Sequence, residues 1–195
     1  MTVASPAQNF LDVLYSRRSV RNFKPKPLDQ NTIRALLDAA IHAPTAMHEE
    51  PWSFVVIQDK KLLDRLSESA KEKIRHDYEG KESVQADHML EMVNDERFHL
   101  FYNAGTLIVI CCKNPGTTGV ADSWLAAENL MLAACAKGLG SCVIGLAVGA
   151  LNTPEWKEAL GIPAGSAAVA PLIVGEPDGE ASVVPRKPPE ILTWK

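Results

Sequence analysis

Three arginines and a serine lie close together near the start of the chain, at Arg17, Arg18, Ser19 and Arg21. A guanidinium group presents paired N–H groups that match two oxygens of a phosphate, and a serine hydroxyl can add another hydrogen bond. Because the cluster follows a short apolar stretch, it could sit at a helix end and close around a phosphate. The alternative is a solvated face, the common setting of basic side chains.

A glycine-rich segment, Gly138–Gly145, is the second candidate for chemistry. It is not a Gly-x-Gly-x-x-Gly motif and does not open a helix after a strand, so a dinucleotide-binding Rossmann unit is rejected. Gly145 has no Cβ and therefore lets a ligand approach the backbone closely. The scattered histidines show no metal-site spacing, and no side chain stands out as a nucleophile. The absence of catalytic side chains is what is expected if a cofactor carries the chemistry.

Apolar spacing and helix breakers predict the elements that must position these groups. Helices are predicted over residues 6–16, 30–42, 60–73, 123–137 and 154–160. Strands are predicted over 54–57, 106–112 and 168–174, with a short strand or turn over 142–148. The mixture of strands and longer helices predicts an α+β protein.

Three of these stretches carry a further expectation. The helix over 123–137 is apolar almost all round, which predicts a central, buried helix that Asp122 or Ser123 could cap. Residues 74–100 are rich in charge and give no clear period, apart from an apolar group that suggests a helix. The tail after Pro177 lacks periodicity, and leaving it unpacked would be costly unless it packs on something, such as a partner subunit.

Length, composition and charge restrict the class of protein. A chain of 195 residues predicts one domain with a substantial core. The net charge of −4 argues against general nucleic-acid binding, and no apolar run reaches the roughly 20 residues of a membrane span. The first residues lack the pattern of a secretory signal, and apolar neighbours surround the cysteines, so we expect reduced thiols in a cytoplasmic protein. The cysteines are Cys111, Cys112, Cys135 and Cys142.

Four segments of the chain, in order, resemble the nitroreductase family of FMN-dependent oxidoreductases, which begin with an Arg-Arg-Ser-x-Arg-x-Phe segment. The four are Arg17–Phe23; Ala43–Val56; Ala126–Ala134 with Gly138–Gly145; and Val169–Pro177 with Pro185–Pro188. Together they extend over nearly the whole chain, and four in family order are hard to attribute to chance.

The resemblance implies an architecture as well as a class. It implies a central mixed β-sheet flanked by helices, in a single nitroreductase-like FMN-binding domain over residues 1–195. It also implies a homodimer in which the C-terminal arm is extended and exchanged between subunits.

The resemblance assigns a phosphate site to both ends of the chain. In the family, basic residues from the two ends close on the FMN phosphate, so Arg186 would join Arg17, Arg18, Ser19 and Arg21. The family often carries a lysine two residues before this last arginine, where this chain has a valine. The site would therefore depend mainly on Arg17, Arg21 and Arg186.

Two backbone segments would then contact the flavin ring. The resemblance implies that N–H groups of Val143, Ile144 and Gly145 meet the N5 region of the flavin. It also implies that a loop from the other subunit touches the flavin, through Pro44, Thr45, Ala46 and His48.

This loop departs from the family at two positions. His48 stands where asparagine is common, and Glu50 where glutamine is common. His48 could instead be an exposed loop histidine, and Glu50 could be structural, accepting from backbone N–H groups. Trp52 would anchor the loop against the core.

The activity implied is reduction of nitroaromatic, quinone or similar electron-poor small molecules by a ping-pong mechanism, with NAD(P)H as reductant and FMN as cofactor. Dehalogenation and flavin fragmentation also occur in the family. Two other classes remain open from the sequence: a non-enzymatic flavin-binding or sensing module, and a phosphate-binding protein without flavin.

Overall fold

A computed structural model describes residues 10–195 as helices packed on both faces of a small sheet. The helices are α1 (Phe10–Ser16), α2 (Gln30–Ile41), α3 (Lys60–Tyr78), α4 (Val84–Asn94), α5 (Thr117–Ala136), α6 (Val148–Leu151) and α7 (Pro154–Ala159). The strands are β1 (Trp52–Ile57), β2 (Leu107–Cys112), β3 (Gly140–Val143) and β4 (Ala167–Gly175). Short 3-10 helices span Ala46–His48 and Gly145–Ala147. The predicted α+β class is confirmed.

The sheet has the strand order β1-β2-β4-β3, and every neighbouring pair of these strands is antiparallel. The expectation of a mixed sheet is therefore wrong for the strands of the described residues. The reason is the place of β4: α5 joins β2 to β3, which run in the same direction, but β4 lies between them and opposes both. Parallel pairing is limited to an isolated bridge between Ser19 and Ser141.

The core lies on both faces of this sheet. All six residues of β2 are buried, as its continuous apolar run predicts. Phe23, Phe101 and Trp156 belong to the cluster on one face, while Leu130 of α5 packs with Trp52 on the other. Each fully buried side chain of this size stabilises the fold by about 1.5–3 kcal/mol.

Helix α5 differs from its prediction in its start and in its exposed face. It begins at Thr117, so Asp122 and Ser123 lie inside the helix, both buried, rather than at its cap. Trp124 and Leu125 are 41% and 46% exposed, because no element of residues 10–195 covers that face. A helix that is apolar almost all round thus keeps one apolar face uncovered within the chain.

The unclear stretch before β2 is largely helical. Helix α3 continues beyond the predicted end to Tyr78, and α4 confirms the apolar helix within 74–100. The Ser83 side chain caps α4 by accepting from the Ala86 N–H at 3.1 Å. At the other end of the chain, α1 covers the described part of the predicted 6–16 helix, whose first four residues lie outside the described ones.

The last segment of the chain leaves the sheet as an extended arm. Residues 179–195 form no helix or strand and are all exposed.

Three cysteines are buried and Cys135 is partly buried, all as free thiols. None of the helices in residues 10–195 combines the length and apolar character needed to cross a bilayer.

Candidate functional site

The arginine segment runs along the free edge of β3. The Val20 N–H donates to the Ser141 carbonyl at 3.0 Å, and Val20 itself is buried. Gly140 makes this approach possible, because an added Cβ there would lie 2.8 Å from atoms of the Val20 side chain. The polar residues on either side of Val20 are thereby held at the surface beside the glycine-rich segment.

The structure divides the arginine cluster between two neighbouring cavities of about 300 Å³ each. Arg17 and Arg18 line the first, and Ser19 and Arg21 line the second. Both cavities are closed on one side by the start of the C-terminal arm, from which Glu180 reaches both. The four predicted residues therefore lie side by side, but they do not form one clamp within the described chain.

Arg17 and Arg18 also have partners within the chain. Arg17 Nε lies 3.6 Å from Glu128 Oε1 on α5, at a partly exposed position. Arg18 folds back on α1, and its Nη1 donates to the carbonyl oxygens of Tyr15 and, at 2.8 Å, Arg17. Arg18 thus satisfies carbonyl groups at the helix end through its Nη1.

The C-terminal arm passes the cavity of Ser19 and Arg21 before it reaches Arg186. Val184 lines the cavity of Ser19 and Arg21, and Arg186 follows it two residues later at an exposed position. The described contacts bring the arm as far as Val184 to this cavity, and the part of Arg186 in a phosphate site stays a prediction.

Two of the three predicted backbone donors in the glycine-rich segment face outwards. The Ile144 N–H donates to the Pro171 carbonyl at 2.8 Å and is used within the sheet. Because the bonding direction alternates along antiparallel strands, the N–H of Val143 points away from β4, towards the edge that the arginine segment follows. Gly145 opens a 3-10 helix, where the first N–H groups lack partners within the helix, and a Cβ on it would meet nothing within 4 Å.

A third cavity, of about 170 Å³, connects this segment to the arginines. Arg21 and Val143–Gly145 line it together. Phe98, Leu100 and Tyr102 also line it, and the rings of Phe98 and Tyr102 meet edge to face with centroids 5.9 Å apart. The sequence analysis did not predict that Phe98, Leu100 and Tyr102 line a cavity. The feature that could have indicated it is a pair of aromatic residues four positions apart, just before a buried strand.

Cys142 also lines this cavity. Burial raises the pKa of its thiol, although the positive charge of Arg21 and a hydrogen bond with Ser19 act against this shift. The thiol is therefore protonated at neutral pH and contributes to the wall as a small apolar group.

The predicted loop forms a tight turn against α5 at the far end of the sheet. Pro44 and His48 are exposed, whereas Thr45 and Ala46 are partly buried. The Ala46 N–H donates to Asp122 Oδ2 at 3.1 Å. Just after the turn, Trp52 is 5% exposed, which confirms its expected role as an anchor.

Glu50 holds the turn through its main chain. Its carbonyl oxygen accepts from Lys113 Nζ at 3.3 Å. Its carboxylate is exposed, and within residues 10–195 it accepts from no backbone N–H, so the structural alternative for that carboxylate is wrong there.

The turn and the glycine-rich segment lie far apart in one chain. Val143 pairs with Leu172, whereas Trp52 shares a row of the sheet with Cys112 and Ala167. With a rise of about 3.3 Å per residue and a strand spacing of about 4.8 Å, this offset corresponds to about 20 Å. One flat ring cannot contact both segments of the same chain.

Fold and site together define a class: an α+β protein that presents guanidinium groups and outward backbone N–H groups beside a small, partly aromatic cavity. The sequence pattern described as "Nitroreductase family" matches residues 14–176. The chain belongs to the nitroreductase family.

Individual relatives agree with this assignment. An Archaeoglobus fulgidus protein, provisionally named NADH dehydrogenase/NAD(P)H nitroreductase, is 29% identical over 175 residues, which cover 87% of this chain and 86% of that protein. A nitroreductase from Bacteroides fragilis, solved with bound FMN, superposes with a TM-score of 0.79 at 25% identity, covering 96% of this chain and 98% of its own. An FMN-bound nitroreductase from Desulfitobacterium hafniense superposes with a TM-score of 0.77 at 23% identity, covering 94% and 95% of the two chains.

Proposed function

We propose that this chain is an FMN-dependent oxidoreductase, built as one FMN-binding domain over residues 1–195. The observation that carries the proposal is the position of Arg21. It lines a cavity with Ser19 and the C-terminal arm, and also the cavity in front of Val143–Gly145. A cationic, hydroxyl-bearing site thus adjoins a site with outward backbone donors, which suits a ligand with a phosphate at one end and a flat ring at the other.

The donors present suit FMN at both ends. The phosphate would be bound by Arg17, Arg21 and Arg186, with the Ser19 hydroxyl and the remaining N–H groups of Arg18. The ring would lie against Gly145, where the missing Cβ leaves open space. The N–H groups of Val143 and Gly145 would be the donors to the ring, because that of Ile144 is used within the sheet.

A second copy of the chain completes the proposed site. The turn that contains Pro44, Thr45, Ala46 and His48 lies about 20 Å from the glycine-rich segment by the strand geometry above, so it would serve the partner's flavin. Exposed apolar groups of this extent mark interaction surfaces. The arm exposes Val183, Val184, Ile191, Leu192 and Trp194, and α1 exposes Phe10, Leu14 and Tyr15. We propose that these surfaces are covered in a homodimer with exchanged arms.

When bound, FMN would supply the redox chemistry by accepting a hydride from NAD(P)H and passing electrons to an acceptor. The residues of the chain would orient the flavin ring and shield it from water. The Arg21 guanidinium would stabilise negative charge where the two cavities meet, and the N–H of Gly145 would donate to the ring edge. Phe98 and Tyr102, which line the same cavity, would restrict the access of water.

One flavin ring against Gly145 supports a ping-pong order. The reductant and the acceptor would contact the same ring in turn, since the hydride accepted from the first is passed to the second. Flat, electron-poor acceptors such as nitroaromatics and quinones suit a cavity bounded by a glycine backbone and two aromatic rings.

The visible spectrum of the purified protein, before and after NAD(P)H, tests the proposal. A yellow protein that releases FMN on denaturation, is bleached by NAD(P)H and regains colour with a nitroaromatic or quinone would support it. A yellow protein that NAD(P)H leaves unchanged would be a flavin-binding module. A colourless protein that also fails to bind added FMN would overturn the cofactor assignment.

A further inference from the structure

The turn before β1 carries an unusual amount of backbone strain. Met47, His48 and Glu50 have φ values of 54°, 57° and 43°, in the left-handed region that side chains with a Cβ rarely adopt. No glycine lies between Pro44 and Pro51 to take this conformation without cost. Three such residues in a span of four persist only when neighbouring groups hold them.

The group that holds the start of the turn is the carboxylate of Asp122. Its Oδ2 accepts from the Ala46 N–H at 3.1 Å, and the Ala46 carbonyl accepts from Glu49 N–H at 3.2 Å. Both main-chain groups of Ala46 are thus fixed, one by the turn itself and one by α5. Lys113 holds the end of the turn, where its N–H donates to the Pro51 carbonyl at 2.7 Å.

Asp122 is an unexpected residue at this place. It is 6% exposed and belongs to a helix whose other buried residues are apolar or small. Among residues 10–195, the buried charged side chains are those of Asp122 and Lys71. Because burying a carboxylate is unfavourable without compensating hydrogen bonds, its bond to Ala46 is the interaction that offsets the burial.

Close packing of α5 against the end of β2 fixes the position of Asp122. Gly119, one turn earlier, lies so close to the end of β2 that an added Cβ would be 2.8 Å from Cys112 Sγ and from the Asn114 carbonyl oxygen. The Ser123 hydroxyl, next to Asp122, donates to the Gly119 carbonyl at 2.8 Å. The carboxylate therefore reaches the turn from a helix that cannot shift without displacing the sheet.

We propose that Asp122 is a positioning residue for the flavin site, which sets the conformation of the Thr45–Glu50 turn through the Ala46 N–H. The proposal rests on the proposed function, in which this turn contacts the flavin of the partner subunit. Asp122 itself does not touch the cofactor. What the turn requires from it is a hydrogen-bond acceptor, and a neutral amide oxygen at the same place meets that requirement.

The test uses paired variants of the full chain and two measurements. Asp122→Asn keeps an acceptor, Asp122→Ala removes it, and Ala46→Pro removes the donor instead. Proline suits this place because Ala46 is the first residue of its 3-10 helix and Thr45 before it is extended, with φ −129° and ψ 146°. The measurements are hydrogen exchange of the residue 44–51 backbone and FMN affinity by titration.

We expect Asp122→Ala to accelerate exchange in the turn and to weaken FMN binding by about tenfold, the size expected for one hydrogen bond to a charged group. Asp122→Asn should remain within about threefold of the parent in both measurements. Ala46→Pro should reproduce the loss of affinity, and adding Asp122→Asn to it should change little more. Adding Met47→Gly to Asp122→Ala should restore part of the affinity, because glycine adopts positive φ without cost.

Several results would overturn the proposal. If Asp122→Ala lowers the melting temperature while turn exchange and FMN affinity stay at parent values, Asp122 only packs the helix. If Asp122→Asn is as damaging as Asp122→Ala in a folded protein, the charge and not the acceptor matters. If the parent binds no FMN, the proposed function fails, and the exchange measurement alone decides whether Asp122 holds the turn. Should Asp122→Ala not fold, Ala46→Pro is compared with the parent instead, and equal FMN affinity of these two proteins would overturn the proposal.

Discussion

Two segments of this molecule are proposed to bring main-chain groups to a flavin ring, and they do so by opposite means. The Gly138–Gly145 segment has glycine where the backbone needs it: Gly138 has a φ of 72°, and Gly140 allows the arginine segment to approach. The Thr45–Glu50 turn forces three residues with a Cβ into the left-handed region and depends on Asp122 to stay there. The first conformation is encoded locally, whereas the second is imposed from a distant helix.

This difference determines how each segment responds to change. The Gly138–Gly145 segment should lose its conformation when its own residues are changed. The Thr45–Glu50 turn should tolerate changes in its exposed side chains and lose its conformation when the group that holds it is removed. The predictions below test this contrast, from the largest expected effect to the smallest.

The arginine segment, held against the glycine-rich edge, should carry most of the cofactor affinity. Arg17→Ala and Arg186→Ala should each remove a charge-assisted hydrogen bond worth about 1.5–3 kcal/mol, and so weaken FMN binding by about 10- to 150-fold. Arg34→Ala, at an exposed position on α2, is the matched control. Titration of the apoprotein with FMN measures the effect, and equal affinity in all three variants would favour a solvated face.

Gly140→Ala should damage both the fold and the site. The added Cβ would lie 2.8 Å from the Val20 side chain, so the arginine segment must move away from β3. We expect a loss of about 1–3 kcal/mol in the free energy of unfolding, together with weaker FMN binding. Gly165→Ala is the control, since a Cβ at this position meets nothing within 4 Å. Urea unfolding of the two variants decides, and equal stability would contradict the close approach.

A matched pair of substitutions should affect the stability of the protein differently in the two segments. Gly138→Ala places a Cβ at a φ of 72° and should destabilise the protein by about 1–2 kcal/mol, with Gly138→Asn less harmful. Met47→Gly removes a Cβ at a φ of 54°, so relief of strain should offset the greater freedom of the unfolded chain, leaving the stability equal or slightly higher. Thermal unfolding compares them. A clear loss in Met47→Gly would mean that its side chain, not Asp122, holds the turn.

The smallest effect concerns the thiol of Cys142 within the glycine-rich segment. Because burial raises its pKa above 9.0, the reactive thiolate should form only at higher pH than in an ordinary cysteine. For the same reason, its contribution to stability is complete below pH 9 and is lost as the pH rises further. Alkylation followed by mass spectrometry at several pH values measures this. FMN should slow the reaction at Cys142, and fast alkylation at neutral pH with or without FMN would contradict the position of this residue.

The contrast between the segments also explains what the sequence could predict. The buried strands were predictable because apolar runs report directly on local structure. Residue type also singled out Arg21 and Gly145, which line one cavity, while their roles in binding stay predictions. Trp52 was predictable as an anchor because a tryptophan beside a strand is most often buried. These are features whose physical cause lies within a few residues.

Other features depend on contacts between residues distant in the sequence, and no local sequence pattern predicts them. The wall of Phe98, Leu100 and Tyr102 lies in an irregular stretch, where no period reveals which side chain faces a cavity. Asp122 resembles a helix cap in the sequence, and only the packing of α5 against the turn reveals its partner. The direction of the sheet likewise depended on β4 entering between β2 and β3, which strand patterns alone do not determine.

The bridge between Phe23 and Pro177 has a consequence for the synthesis of the protein. It joins the segment after the arginines to the residues just beyond β4, so the edge on which the arginines rest is complete only after Pro177 has left the ribosome. Contacts so distant in sequence form late and slow the folding of a domain. A nascent chain therefore lacks the assembled edge that carries Arg17, Arg18, Ser19 and Arg21 until the last stage of its folding.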